Sequence, residues 1–171
     1  MTALLVLGGA RSGKSRYAQA RVEVYPGRLA YIATAQALDD EMAERIARHR
    51  ADRGHRWTTR EAPIALADAI AAAARDADAV LVDCLTLWLS NLLLAAHDID
   101  AASAALCDAV ARCRVPIVLV ANEVGLGIVP DNALARSFRD AAGRLNQALA
   151  GQVDEAVFIA AGLPLWLKPA G

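Results

Sequence analysis

The stretch "GGARSGKS" occupies residues 8–15 and directly follows the apolar run "LLVL". Its Gly8, Gly13, Lys14 and Ser15 satisfy the spacing G-x-x-x-x-G-K-[ST] of a phosphate-binding loop. Glycines let the backbone curl so that successive N–H groups point at phosphate oxygens, and the positive end of the following helix adds to that attraction. We expect Lys14 to reach the terminal phosphates and the Ser15 hydroxyl to ligate Mg²⁺. The alternative is an ordinary glycine turn between a strand and a helix.

Around this loop, short apolar runs alternate with helical patterns along the chain. Continuous apolar runs are typical of parallel strands buried on both faces, so we predict an α/β fold with a mostly parallel sheet and helices on both faces. The predicted strands are residues 3–7, 29–33, 56–60, 79–82, 117–120, 156–159 and, as an added edge strand, 164–167. The predicted helices are residues 14–24, 39–50, 64–75, 85–95, 101–112 and 132–149. Ligands of such sheets bind at the carboxyl ends of the strands, which aligns residues 8–15, 34–36, 83 and 122–123 along one rim.

Composition narrows the class of protein. The 171 residues suit one catalytic domain spanning 1–171, and 18 basic against 19 acidic residues argue against a general nucleic-acid binder. No apolar stretch reaches the ~18 residues of a membrane span. Three cysteines without a CxxC pair, and an N-terminus without a basic signal region, predict reduced thiols in a cytoplasmic protein.

An acidic residue closes one of the predicted strands. Asp83 follows the run "AVLV". Phosphate-loop proteins carry an acidic residue at the end of a strand in this way, and there Asp83 could hold Mg²⁺ directly or through water. Capping of the helix that begins at Leu85 is the other interpretation. No [NT]-K-x-D follows the late strands, so the guanine recognition of switch GTPases is missing.

A histidine stands between two arginines in "AERIARHR". His49 is flanked by Arg48 and Arg50. It could be a solvated residue on a basic helix face, or it could be a nucleophile whose lone pair the neighbouring cations keep available. The same cations would stabilise charge on a phosphate under attack. His55 and His97 have no comparable setting, and we interpret both as surface residues.

Four stretches together resemble one enzyme family: "LGGARSGKSRYAQ" at 7–19, "YIATAQALDDEMAERIARHR" at 31–50, "VDCLTLWLSNLL" at 82–93 and "NEVGLGIVPDNALARSFRDAAGRLNQALA" at 122–150. The sequence is similar to the bifunctional adenosylcobinamide kinase/adenosylcobinamide-phosphate guanylyltransferase of cobalamin biosynthesis. The resemblance implies that a nucleoside triphosphate, ATP or GTP, phosphorylates adenosylcobinamide. GTP then gives GMP to that phosphate, which releases pyrophosphate and makes adenosylcobinamide-GDP. It also implies a RecA-like phosphate-loop fold and a homotrimer.

The resemblance further assigns site residues. His49 matches the histidine that carries GMP covalently, and Arg48 stands where some relatives have a second histidine. Lys14 joins His49 as a catalytic residue, and Ser15 and Asp83 are the expected Mg²⁺ contacts. The matching nucleotide contacts are Gly8, Gly9, Ala10, Arg11, Ser12, Gly13, Lys14, Ser15, Arg16, Thr34, Ala35, Gln36, Arg50, Ala51, Asp52, Arg53, Glu61 and Asp83.

Several assignments stay open at the level of sequence. Arg11 either stabilises transferred charge or is a solvated residue of the loop tip. Asn122 and Glu123 either touch a ligand or fix their loop through side-chain to backbone bonds. Trp57 and Trp166 could contact the flat corrinoid, whereas the apolar helix around Trp88 predicts a core position for that residue. A single-step kinase of a small metabolite, or a nucleotide-binding regulatory protein, would use the phosphate loop without the histidine.

Overall fold

The computed structural model describes residues 2–36 and 54–169, and every structural statement below refers to these ranges. Seven strands and five helices lie within them, and the predicted helix over 39–50, with His49, lies outside them. The strands are β1 (Ala3–Gly8), β2 (Leu29–Ala33), β3 (Trp57–Glu61), β4 (Ala79–Asp83), β5 (Ile117–Asn122), β6 (Glu155–Ala160) and β7 (Leu163–Lys168). The helices are α1 (Lys14–Glu23), α2 (Leu66–Asp76), α3 (Leu85–Leu94), α4 (Ile99–Arg112) and α5 (Ala133–Gln152).

All seven strands form one sheet in the order β3-β2-β4-β5-β1-β6-β7. Every neighbouring pair is parallel except β6 and β7, which are antiparallel. The prediction of a mostly parallel α/β sheet with an added edge strand is therefore confirmed. The strand that carries the phosphate loop lies next to β5, with Gly8 opposite Asn122.

Both faces of the sheet are buried, and β5 shows how the sequence achieves this. Leu119 and Ala121 pack into the larger core, while Val118 and Val120 pack into the core that contains α1. Side chains alternate between the two faces of a strand, so a run without polar residues fills both cores. The continuous apolar runs of the sequence were thus correct indicators of central strands.

The sheet ends at β7, an edge strand that runs antiparallel to β6 and carries Trp166. Trp166 covers the guanidinium of Arg21, whose carbon lies 5.4 Å from the ring centre. Arg21 in turn donates to Glu155 over 2.7 Å. Burial opposes the charge on Arg21, but the hydrogen bonds to Tyr17 and Glu155 outweigh it and hold the pKa above its ordinary value. This contact ties α1 to the far edge of the sheet.

One helix start deviates from prediction because a capping residue was overlooked, and helix α2 begins at Leu66 rather than at residue 64 without any side-chain cap. Helix α4 begins two residues earlier than expected because Asp98 caps it, accepting a hydrogen bond from the Ala101 N–H at 3.0 Å. Asn132 caps α5 in the same way, with the Ala135 N–H as donor at 2.8 Å. That helix continues to Gln152, which is three residues beyond the predicted end at 149. In the described ranges, no helix has the length and hydropathy required to cross a bilayer.

Candidate functional site

The loop between β1 and α1 has the backbone course of an anion-binding turn. The Ser12 N–H donates to the Gly9 carbonyl at 3.3 Å, and the Tyr17 N–H donates to the Gly13 carbonyl at 3.0 Å. Gly13 has a φ of 93°, in the left-handed region that glycine occupies without strain. It stands at the N-cap of α1 and has no side chain to cap the helix, which leaves the first-turn N–H groups to a ligand.

Glycine is required at position 8 because neighbouring atoms fill the space. A Cβ there would lie 2.6 Å from the Ile159 carbonyl oxygen and 2.6 Å from the Ser12 hydroxyl. A Cβ on Gly9 would meet nothing within 4 Å. Packing therefore requires glycine at position 8, whereas it does not at position 9, which the motif leaves variable.

Lys14 is the buried cation of this loop. Its side chain is only 9% exposed, and Nζ donates to the Gly9 carbonyl oxygen at 3.1 Å. Charged groups are buried only where partners compensate them, and a phosphate would be the natural partner here. The ammonium therefore closes across the curled backbone.

Other predicted loop contacts are more exposed. Ala10, Arg11 and Arg16 are exposed, and Arg11 has a φ of 56° at the tip of the turn. Ser15, the second residue of α1, is partly buried. The roles of Arg11 and Arg16 remain predictions, because both are compatible with a solvated position.

A hydroxyl clamp joins the ends of β2 and β4. Thr34 is fully buried; its Oγ1 donates to the Cys84 carbonyl at 2.7 Å and accepts from the Cys84 N–H at 2.8 Å. The Thr34 carbonyl accepts from Asn91 Nδ2 at 2.8 Å. Asp83, immediately before the clamped residue, is partly buried at the end of its strand. The N-cap position of α3 belongs to Cys84, so the interpretation of Asp83 as that cap is wrong.

The thiol beside Asp83 is kept neutral. Burial raises the pKa of Cys84, and the negative charge of the adjacent Asp83 raises it further. Nearby positive charge on Lys14 acts in the opposite direction but is outweighed. Because metals and electrophiles take the thiolate, we assign Cys84 a structural role at this rim.

The oxygen donors at the rim suit magnesium. Ser15 and Asp83 supply a hydroxyl and a carboxylate, which are hard ligands, and Mg²⁺ is commonly held by one or two such groups together with substrate phosphates. No group of three His, Cys, Asp or Glu side chains that could form an all-protein metal cage exists in residues 2–36 and 54–169. The donor set therefore fits a metal that arrives with a nucleotide.

The two polar residues after β5 differ in their bonding. Glu123 Oε1 accepts from the Gly125 N–H at 2.5 Å, which supports a loop-fixing role. Asn122 is different: its N–H donates to Thr86 Oγ1 at 2.7 Å, but its side-chain Oδ1 is buried without a partner among the described residues. The loop-fixing interpretation therefore explains the side chain of Glu123 but not that of Asn122.

An exposed apolar loop continues the rim beyond Glu123. Leu126 and Ile128 are 81% and 97% exposed, and Val129 is 60% exposed. The far end is fixed, because Arg136 Nη1 donates to the carbonyls of residues 130 and 131 at 2.9 and 2.7 Å. The loop is thus anchored at both ends and presents these apolar side chains to solvent.

The remaining predicted positions are distributed as follows. Ala35 is half-buried and Gln36 is exposed directly after Thr34, and Glu61 ends β3 opposite Ala33. Trp88 is buried, with its indole N–H donating to the Ile64 carbonyl at 2.8 Å, which confirms its core position. Both predicted surface histidines, 55 and 97, are exposed. His49, Arg50, Ala51, Asp52 and Arg53 lie outside the described residues.

Thr86 and Asn91 support the site but were not predicted as part of it. Both lie in α3, where Thr86 anchors Asn122 and Asn91 holds the carbonyls of Thr34 and Pro63. The available signal was their polarity inside the otherwise apolar stretch of residues 85–96. A polar side chain on a buried helix requires a partner, and here the partners are backbone groups of the rim.

The parallel sheet, the glycine loop and the buried lysine define an α/β phosphate-loop protein. A solved protein of Pyrococcus horikoshii OT3 has the same fold, with a TM-score of 0.55 at 11% identity, covering 99% of this chain and 87% of that one. The model of the cobinamide kinase/cobinamide phosphate guanyltransferase family, CobU, matches residues 4–167. The chain belongs to that family.

Curated relatives agree over nearly the full length. The bifunctional adenosylcobalamin biosynthesis protein CobP of Pseudomonas aeruginosa is 48% identical, over 96% of both chains. The bifunctional adenosylcobalamin biosynthesis proteins CobU of Salmonella typhimurium and Escherichia coli are 44% and 42% identical to this chain. Each match covers 96% of this chain and 99% of the relative. The family resemblance expected from the four sequence stretches is thereby confirmed.

Proposed function

We propose that this chain phosphorylates adenosylcobinamide and then converts the product to adenosylcobinamide-GDP with GTP. The observation that carries the proposal is the buried Lys14, held across the glycine loop at the same rim as Asp83. Membership in a family described by both reactions supports it. We further propose that residues 1–171 form one catalytic domain.

In the first reaction the substrate hydroxyl attacks the γ-phosphorus of a nucleoside triphosphate. An O–P bond forms, and the bond from the γ-phosphorus to the bridging oxygen breaks, releasing a nucleoside diphosphate. The curled N–H groups of residues 8–15 and the Lys14 ammonium hold the phosphates and stabilise the charge that spreads over them. The loop therefore acts by positioning and electrostatics and transfers no proton itself.

In the second reaction we propose that His49 attacks the α-phosphorus of GTP. A P–N bond forms, the bond to the β-phosphate breaks, and pyrophosphate leaves with the bonding electrons toward the phosphate loop. The phosphate of adenosylcobinamide phosphate then attacks the same phosphorus and releases the histidine. That incoming phosphate is already ionised, so no further base is required.

The proposed nucleotide contacts are those expected from the family resemblance. Ser15 and Asp83 would hold Mg²⁺, which when bound supplies positive charge to the triphosphate. Gln36 and Glu61 border the same rim and would approach the nucleoside side of GTP, and the buried Thr34 would act there by fixing the rim. Arg50, Ala51, Asp52 and Arg53 remain proposed contacts that accompany His49.

We propose that the apolar loop beyond Glu123 receives the corrinoid. Leu126, Ile128 and Val129 lie in the loop that follows β5, and β5 is paired with the strand that carries the phosphate loop. A macrocycle whose side arm reaches the γ-phosphate must extend past that loop, and an anchored apolar surface suits its faces. This gives the large acceptor a place without obstructing Lys14.

We also propose a cytoplasmic homotrimer. Leu163, Leu165 and Leu167 are more than half exposed on the edge strand β7, and an exposed apolar edge favours contact with another chain. Sedimentation would give a trimer mass for the unmodified chain. Leu165→Glu would lower that mass; an unchanged trimer would exclude this strand from the subunit contact.

The reaction itself tests the proposal. The protein is incubated with cobinamide in adenosylated form, ATP, GTP and Mg²⁺, and products are identified by mass spectrometry. We expect the phosphate first, and the GDP derivative with one pyrophosphate released per product. Lys14→Ala should lower both rates by at least ~100-fold, because both reactions use the same phosphate cradle. Absence of both products from the unmodified protein would refute the proposed function.

A further inference from the structure

Asn122 holds a buried acceptor atom that no residue of the described ranges satisfies. Its Oδ1 is inaccessible to solvent and has no hydrogen-bond partner among the described residues. Such an atom destabilises the folded state unless a donor reaches it, so native proteins retain few of them. The backbone of the same residue is fixed by the bond from its N–H to Thr86 Oγ1 at 2.7 Å. The residue is therefore held in place while its side-chain oxygen is left for another donor.

The position of this oxygen limits what the donor could be. Asn122 is the last residue of β5, opposite Gly8 of the phosphate-loop strand and on the strand next to the one that ends at Asp83. Val118 and Val120 pack in the core that contains α1, so the alternation of a strand places Asn122 on that same face. Asn122 thus stands at the end of the strand that separates the phosphate-loop strand from the strand ending at Asp83.

Phosphate oxygens cannot satisfy this atom because they are acceptors themselves. The Lys14 ammonium does not reach this atom and donates to the Gly9 carbonyl. The donors that the reactants bring to this rim are O–H groups: the hydroxyl of the kinase substrate, or water on the metal. These two donors differ in one useful respect. The substrate hydroxyl is present only in the first reaction, since the acceptor of the second reaction is a phosphate, whereas metal-bound water would be present in both.

We propose that Asn122 Oδ1 accepts a hydrogen bond from the substrate hydroxyl and aims its oxygen at the γ-phosphorus. This inference rests on the proposed function. A lone pair of the hydroxyl oxygen, which donation to Asn122 leaves free, forms the O–P bond as the bond from the γ-phosphorus to the leaving nucleoside diphosphate breaks. The amide is not basic, so the proton passes to an oxygen of the transferred phosphoryl group and then to water. Asn122 is consequently a residue of the kinase step alone.

The test measures the two reactions separately on one variant. Asn122→Leu keeps the size of the side chain and removes the acceptor. We expect kcat for phosphorylation of adenosylcobinamide to fall about 100-fold, the scale of a misplaced reactant. The KM for the nucleoside triphosphate, and the rate of GMP transfer to pre-formed adenosylcobinamide phosphate, should stay within about twofold of the unmodified protein. The transfer rate also serves as the control for a correctly folded site.

A second variant acts through the backbone anchor. Thr86→Val removes the acceptor of the Asn122 N–H, and we expect a smaller loss, again confined to phosphorylation. Equal loss of both reactions in a folded Asn122→Leu protein would overturn the inference in favour of metal-bound water. Unchanged phosphorylation would overturn it in favour of a structural water only. If the unmodified protein phosphorylates nothing, the proposed function fails instead, so the two failures are distinguishable.

Discussion

The hydroxyl of Thr34 bonds to both backbone groups of Cys84, donating to its carbonyl at 2.7 Å and accepting from its N–H at 2.8 Å. The two residues are 50 positions apart, so this clamp fixes the end of β2 against the end of β4. Asp83 immediately precedes the clamped residue. Its carboxylate is therefore positioned by a hydroxyl that would touch no reacting atom itself.

Removal of this hydroxyl should reduce both stability and activity. Thr34→Val keeps the shape but leaves the buried Cys84 N–H and carbonyl without their partner, and we expect a loss of about 1–3 kcal/mol in the free energy of unfolding. Urea denaturation measures this loss directly. Thr34→Ser keeps the hydroxyl and should retain most of the stability; equal losses in both variants would show that the methyl group, rather than the clamp, is what matters.

The two adjacent glycines of the phosphate loop should respond differently to alanine. Gly8→Ala places a Cβ 2.6 Å from the Ile159 carbonyl oxygen, which forces the backbone apart; overpacking of this kind costs about 1–3 kcal/mol. We expect weaker GTP binding in calorimetry and a lower melting temperature. Gly9→Ala meets nothing within 4 Å and is the matched control. Similar defects in both variants would contradict the steric explanation.

The raised pKa of Cys84 predicts slow reaction with thiol reagents. In a Cys107→Ala/Cys113→Ala protein, the single remaining thiol should react with a disulfide reagent far more slowly than in the urea-unfolded chain. The folded state binds the Cys84 thiol proton more tightly than the unfolded chain does. The stability that this proton contributes to the free energy of unfolding is therefore present at neutral pH and is lost as the pH rises above the ordinary thiol pKa. Rapid native-state labelling at neutral pH would count against a buried, protonated thiol.

The apolar loop gives a prediction about substrate affinity. Ile128 is 97% exposed, so Ile128→Asp should leave folding intact. If the corrinoid packs there, loss of one buried apolar side chain should raise the KM for adenosylcobinamide by about tenfold, the equivalent of ~1.5 kcal/mol. The KM for GTP should not change. Steady-state kinetics with each substrate varied in turn would decide, and an unchanged corrinoid KM would remove this loop from the acceptor site.

The sequence was sufficient for the sheet, because apolar runs buried on both faces are a local pattern, and the strands that they predict were found. The glycine turn after β1 was also found, and its binding of phosphate stays a prediction. The clamp of Thr34 on Cys84 and the anchoring of Asn122 by Thr86 were not predictable, because they join residues far apart in the chain whose side chains have many equivalent partners in sequence. The start of α4 was missed for a simpler reason, since Asp98 was a recognisable cap.

The same distinction applies to Asn122 and Glu123. In sequence they are equivalent polar residues after a strand, and either could fix the loop or meet a ligand. The structure separates them by hydrogen bonding: Glu123 is satisfied by the Gly125 N–H, and the oxygen of Asn122 is not satisfied within the described ranges. Satisfaction of buried polar atoms is a property of three-dimensional packing, which is why pattern alone could not decide between the roles.

The central claim is that this chain transfers GMP through His49, and one labelling experiment tests it most directly. The protein is incubated with GTP labelled at the α-phosphate and with Mg²⁺, without corrinoid, and is then denatured and digested. We predict one GMP on the peptide that contains His49, labile to acid and stable to alkali, and absent from His49→Ala. Label that never remains on the denatured protein, or that persists in His49→Ala, would contradict the account.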